Sequence, residues 1–330
     1  MTPVARLVRR VVVLVGVVLG VPMLAGGCAR DESPEVRRVV AYVSADPQTA
    51  GPILHAFEAE TGIRVDPLYD TEATKTTGLA ERIRRESGRP RADVFWSSEP
   101  FAVEQLAAAE LLAPITHPDL ADHPTAWRRH DDRWFAFAGR ARVIAFRPDR
   151  VSRDDVPTTW RALAEPRWRD QIAMADPRFG TTRGHVGALA AGWGPEAFDV
   201  WLDGLATNRV RILPGGNAAT VDAVARGEVM LGLTDTDDVM AAQSRGLAID
   251  AVLPRHLAEG EAGGGTLLVP NAAGVVTGAP HADEAISLVA FLASPRVERL
   301  LRESPARHQP VAHPQIIEII EIIDADDVHR

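Results

Sequence analysis

Between residues 36 and 112 the chain alternates short apolar runs with amphipathic stretches, and that alternation admits few folds. Residues 36–43, ending Val39-Val40-Ala41-Tyr42-Val43, suit a buried strand. Residues 52–60 carry helical spacing, and Thr61-Gly62 closes them as a left-handed cap would. Ile63-Arg64-Val65 restarts a strand, residues 79–87 form an arginine-rich helix stopped by Gly88, and residues 92–96 give another buried strand before a helix over 103–112. Strand, helix, strand, helix, strand at this spacing predicts a parallel α/β sheet.

A second set of elements begins after Gly139. Strands are predicted at 142–146, 171–175, 209–213, 229–233 and 266–269, with helices through Ala190, over 198–205, 220–226 and 284–292. Two α/β lobes joined by extended strands place a cleft between them, and ligand sites form preferentially at such interfaces. The ends of parallel strands and the neighbouring helix N-termini supply its polar groups.

The first segment bears on compartment. Arg6, Arg9 and Arg10 precede a Val/Leu/Gly run over 11–20, and Ala25-Gly26-Gly27 leads to Cys28. This reads as an export signal over residues 1–27, too short and wrongly flanked for a spanning helix. Cys28 is the only cysteine, so no internal disulfide forms. Its setting resembles the lipobox of bacterial lipoproteins, with Leu24 one place early, and implies lipidation at Cys28, a tether over 28–36 and a periplasmic or cell-surface location anchored to the membrane. The plainer alternative is a cleaved signal with a stray cysteine. The formal charge is −9 before the leader's three arginines are lost, which excludes a nucleic-acid partner. No Gly-x-Ser-x-Gly elbow, Walker loop, dinucleotide fingerprint or zinc-spaced histidine set occurs, so an enzyme is not expected and no catalytic cofactor is implied. The rivals are a secreted hydrolase using the aspartates as acid, base or metal ligands, and a tethered sensor.

Several stretches resemble extracellular solute-binding proteins of the ferric-iron importer type, and they do so in order from about Val39 to Pro305. They include Tyr42-Val43-Ser44, the block Phe57-Glu58-Ala59-Glu60-Thr61-Gly62-Ile63-Arg64-Val65, Ala92-Asp93-Val94-Phe95-Trp96, Arg140-Ala141-Arg142-Val143, Leu163-Ala164-Glu165-Pro166-Arg167-Trp168, and Gly227-Glu228-Val229 leading to Leu233-Thr234. The resemblance implies a type II periplasmic-binding-protein fold of class α/β, two lobes hinged on crossing strands, with lobe 1 over 37–139 plus 269–330 and lobe 2 over 140–268. It also implies a monomer that delivers a small solute to an ABC permease with a cytoplasmic ATPase. Relatives of this type carry a tyrosine pair where this chain reads Asp235-Thr236-Asp237-Asp238, and a histidine where Asp46 stands. Only Tyr42 and Tyr69 remain, so a phenolate pair at that position is excluded.

Asp235, Asp237 and Asp238 follow a buried strand and open a helix. One aspartate there is explained by capping and the helix dipole. Three repel one another unless a cation or hydrogen-bond donors offset them, which makes them candidate metal ligands. The opposite wall is expected to offer Ser44, Asp46, Thr71, Glu72 and Ser97, with loop capping as the alternative for the last three. Thr181 and Thr182 behind Gly180 form a candidate anion seat, Arg140 and Arg142 flank the hinge strand, and Asn217 follows Gly215-Gly216. The leading cargo is a metal cation, ferric or divalent, with a synergistic anion. A zwitterion such as an aminophosphonate, or a polyamine, is the alternative. The Ile-rich tail over 316–323 reads as a docked helix, with a partner-binding helix as the alternative.

Overall fold

The computed structural model describes residues 37–70, 76–256 and 265–312. The expectations placed on the leader, Cys28, the tether, Thr71, Glu72 and the tail lie outside the described residues.

The chain opens with β1 (Arg38–Val43), α1 (Pro47–Thr61), β2 (Arg64–Tyr69), α2 (Thr77–Glu86), β3 (Val94–Ser97), α3 (Pro100–Ala108) and β4 (Leu112–Ala113). The expected alternation is present. β2, β1 and β3 are parallel neighbours, and α1 buries Ala50, Ile53, Leu54 and Phe57 at helical spacing. Gly62 ends α1 with φ 69°, its N–H bonded to the Glu58 carbonyl, a conformation that glycine reaches without a Cβ penalty.

β5 (Phe135–Phe146) then runs for 12 residues and changes partners midway. Its first part, up to Ala141, pairs antiparallel with β10 (Leu268–Val276); from Arg142 onward it pairs with β8 (Leu231–Asp235) and β9 (Asp250–Val252). Between β5 and β10 lie β6 (Ile172–Ala175), α4 (Gly180–Trp193), α5 (Pro195–Thr207), β7 (Arg211–Leu213), α6 (Gly216–Ala225), β8, α7 (Thr236–Ser244) and β9; α8 (Ala282–Leu292) and α9 (Pro295–Glu303) follow β10. The strand order is β2-β1-β3-β10-β5-β8-β6-β7, with β4 on β10 and β9 on β5.

Each half of this curled sheet has apolar residues packed on both faces. In the first half, β1, α1 and α8 pack one face, and α2 and α3 the other. In the second half, Trp160, Trp168 and Trp201 fill one face and α6 and α7 the other. The seam between the halves is irregular. The β5–β10 register slips between Pro270 and Asn271, and Ala138 sits at φ 34°, a left-handed conformation that costs an alanine free energy.

The sequence reading began the second strand set at Arg142 and ended its helix over 103–112 too late. The strand actually starts at Phe135, because Gly139 interrupts the apolar pattern without breaking the ladder; the helix stops at Ala108, because Leu112 is needed as a strand residue on β10.

Candidate functional site

A cleft of roughly 540 Å³ opens between the two halves. Its floor forms where β8 ends and α7 begins. Register places Arg142 of β5 directly opposite Asp235 of β8, so the two side chains meet on one face. Arg142 Nη1 donates to Asp235 Oδ1 at 2.7 Å, and both side chains are buried, with 0% and 2% of their surface exposed. Thr181 Oγ1 and Asn217 Nδ2 donate to Asp235 Oδ2 at 2.6 and 2.7 Å. Asn217 also donates to Thr181 Oγ1 at 2.9 Å, and Thr182 Oγ1 donates to Asn217 Oδ1 at 3.2 Å.

Asp235 occupies the N-cap position of α7, yet its side chain makes no capping hydrogen bond. Capping therefore does not account for it. Its carboxylate instead ties β5, the start of α4 and the start of α6 to the end of β8. An ionised carboxylate offers about four acceptor positions, and three of these are taken by Arg142, Thr181 and Asn217.

Asp237 and Asp238 stand in the first turn of α7, half-buried, where the helix dipole favours negative charge. One oxygen from each of the three aspartates can be chosen so that all lie within 4.8 Å of one another. Arg140 Nε is 3.5 Å from Asp237 Oδ2 and 3.9 Å from Asp235 Oδ2, and the Arg140 side chain is only 4% exposed. Arg140 Nε and Nη1 have no hydrogen-bond partner among the described residues, although the side chain lines the cleft. A buried guanidinium with unspent donors favours an anion nearby. Behind Arg142, burial and the neighbouring guanidinium push His185 well below the usual histidine range, so it adds no third positive charge.

The expectation of a simply acidic wall is thus corrected. The three carboxylates come with two buried arginines that offset most of their charge.

Asp46, Arg140, Thr181, Thr182, Asn217 and the three aspartates all line the cleft. Ser44 and Ser97 lie beneath its surface, where Ser44 Oγ accepts from the Ser98 N–H and donates to Ser97 Oγ. Ser98 lines the cleft in their place. Arg142 sits behind Asp235, fully buried. Besides α1 and α7, two more helices present their N-termini here: α4 starts at Gly180 with φ 55°, and α6 at Gly216 with φ 72°. These left-handed turns aim N–H groups at the cleft beside Thr181 and Asn217.

Sequence reasoning missed Asn271 and His308, both buried and lining the cleft. A lone asparagine inside the apolar run over 267–276 was a visible signal; His308 follows the end of the resemblance and gave none. Neither tyrosine lines the cleft. Tyr42 donates to Glu86 at 2.7 Å from the core, and burial pushes its pKa up to about 12.

The two halves touch beside the cleft as well. A Cβ on Gly184 of α4 would stand 2.1 Å from the ring of Phe101 in α3, so the Cδ2–Cε2 edge of the ring packs against that glycine. The neighbouring Glu99 caps α3 through the N–H groups of Phe101 and Ala102, and burial raises its carboxyl to about 7.

A family model of bacterial extracellular solute-binding proteins matches residues 39–304. Iron uptake protein A1 of Synechocystis sp. is 26% identical over 326 residues, covering 91% of this chain and 86% of that protein. Major ferric iron-binding protein of Neisseria meningitidis is 28% identical over 274 residues, covering 82% and 80%. Among solved structures, iron-bound HitA from Pseudomonas aeruginosa superposes with a TM-score of 0.73 at 25% identity, covering 84% of this chain and 86% of that one. The two-lobed α/β fold is common to both.

Proposed function

We infer, because this chain belongs to the bacterial extracellular solute-binding proteins, that it captures a hard cation together with an anionic partner between its lobes and hands them to an ATP-driven permease. It is a binding protein and not an enzyme, and what it holds is cargo. The lobes are assigned to residues 37–139 plus 269–330 and to 140–268, with lipidation at Cys28 as the tether. The observation that carries the cargo is the meeting of Asp235, Asp237 and Asp238 with Arg140 on one cleft floor.

Asp237 and Asp238 supply hard oxygen donors of the kind that suit ferric or divalent ions. Arg140 and the N-termini of α4 and α6 suit the accompanying anion. The relatives named for ferric iron support iron as the metal. No phenolate reaches the cleft, so the anion must complete the coordination that this chain's carboxylates begin. Closure is favoured only by cargo that contacts both walls, which here means Asp46 and Ser98 on one side and the aspartates on the other.

Titration calorimetry with ferric citrate, ferric nitrilotriacetate and divalent salts tests the reading. Heat from a ferric chelate, weakened about tenfold or more in Asp237→Asn and Asp238→Asn, is the expected result. No heat from any metal or chelate would refute it. The pairing of carboxylates with an unspent guanidinium also suits a zwitterion, so an aminophosphonate is titrated alongside; heat from it alone selects that second reading. Labelling with a fatty acid, lost in Cys28→Ser, checks the tether.

A further inference from the structure

The segment after α9 lies beyond the residues matched to the family, yet it reaches the cleft floor. Gln309 exchanges both backbone hydrogen bonds with Gly139 of β5, each 2.7 Å. Glu298, fully buried, accepts from the N–H groups of Ala138, Val311 and Ala312 at 2.8–3.0 Å. Gly139 allows the close approach, since a Cβ there would stand 3.1 Å from Val311 Cγ1. The segment is therefore clamped to the hinge strand, and His308 is delivered to the seam with 5% of its side chain exposed.

A hydrogen-bond chain then fixes what His308 can do. Trp96 Nε1, which can only donate, reaches Asn271 Oδ1 at 3.3 Å and so orients that amide. Asn271 Nδ2 donates to the Ala138 carbonyl at 2.6 Å and lies 3.3 Å from His308 Nδ1. Because the amide nitrogen has only hydrogens to offer, His308 Nδ1 accepts, and the ring proton resides on Nε2. Nε2 in turn faces Asp237 Oδ2 at 3.2 Å. The chain starts on β3, crosses the slipped register of β10, and ends on α7 in the other half of the molecule.

We propose that His308 is a positioning residue for the cargo: it donates from Nε2 to Asp237 across the seam and holds that carboxylate beside Arg140. Resting on the cargo reading above, this assigns the C-terminal segment a part in the site. His308 itself is not a metal ligand, since Nδ1 accepts from Asn271 and Nε2 carries the proton. The link joins the two halves across the seam.

Two measurements on the whole protein decide it. The first needs no cargo. Nitrogen-15 NMR of the imidazole should show the Nε2–H tautomer in the solute-free chain, with the Nε2 signal moved by Asp237→Ala; an Nδ1–H tautomer, or a signal indifferent to Asp237, overturns the proposal. The second is calorimetry with ferric citrate on His308→Leu, His308→Gln, Asp237→Ala and the Leu/Ala double variant. His308→Leu should weaken capture about tenfold, His308→Gln should recover part of it through its own amide donor, and the double variant should bind no more weakly than Asp237→Ala alone. Unchanged capture in His308→Leu, or fully additive losses, overturns the proposal. If the wild-type chain takes up no ferric chelate, the cargo reading falls and the NMR result alone decides the role of His308.

Discussion

Replacing Asp235 with asparagine separates a structural carboxylate from a cargo ligand, because the two roles predict opposite signs. If Asp235 mainly waited for a cation, its charge would repel Asp237 and Asp238 in the empty protein, and the amide would leave stability unchanged or raise it. The geometry argues otherwise. Arg142 is 0% exposed and its Nη1 donates to Asp235 at 2.7 Å, so the amide strands a buried guanidinium. Breaking a buried ion pair from one side costs about 3–5 kcal/mol. At roughly 2–4 °C per kcal/mol for a chain region of this size, the unfolding midpoint should fall by about 10 °C. Differential scanning calorimetry in metal-free buffer measures it. Replacing both partners, Asp235→Leu with Arg142→Met, should recover only part of the loss, since apolar packing substitutes for the ion pair but leaves Thr181 and Asn217 without the acceptor they now share. An unchanged or raised midpoint in Asp235→Asn would refute the assignment.

Gly184→Ala should weaken cargo capture about tenfold, because its Cβ would stand 2.1 Å from the Phe101 ring and that contact between the halves must give way; the clash offsets the roughly 1 kcal/mol that alanine gains over glycine in a helix, and adding Phe101→Ala should restore binding measured by calorimetry. Gly232→Ala in β8 should lower the denaturation free energy by about 1–3 kcal/mol in urea titrations, because its Cβ would stand 2.8 and 2.9 Å from Val224 and Thr220 of α6. Glu99 titrates at about 7 in the folded chain against 4.5 when unfolded, so the folded state keeps a proton that the unfolded chain releases. Stability from this group is complete below about pH 4.5 and lost by about pH 7, a decline of up to about 3 kcal/mol. Glu99→Gln should flatten that slope, and an undiminished slope in stability measured across pH 4.5–7.5 would exclude Glu99 as its source.

How much of this was legible follows from which interactions are local. The alternation before Leu112 and the cap at Gly62 are local patterns, and the structure repeats them. The hinge strand was half legible: Arg142 onward reads as apolar alternation, but Gly139 hides the preceding seven residues, and only pairing with β10 reveals one continuous strand. α9 was missed, although its Ser294 cap, which accepts from the Val297 N–H, is a recognisable start signal. At the site, the aspartates were visible as a cluster, but their partners were not. Arg142 and Asp235 are 93 residues apart, and Asp237 and His308 are 71 apart, so nothing in spacing links them.

The placement of the two arginines also narrows the cargo. Arg140 and Arg142 are two apart on one strand, so they share a face, and both approach Asp235. Between them they offset two of the three clustered carboxylates, and His185, kept neutral by burial, leaves that balance unchanged. About one unit of negative charge remains on that floor. A bare trivalent ion would overshoot it in a cleft with low-dielectric walls, where uncompensated charge is costly. A ferric ion that arrives with its own anions matches the floor better: the cation is drawn to Asp237 and Asp238, while the anion meets the unspent donors of Arg140. On this argument Arg140→Leu should weaken uptake of a ferric chelate at least as much as Asp238→Asn does, as read by calorimetry. If the leucine variant instead bound the chelate more tightly, Arg140 would be a brake on cation binding rather than the seat of an anion.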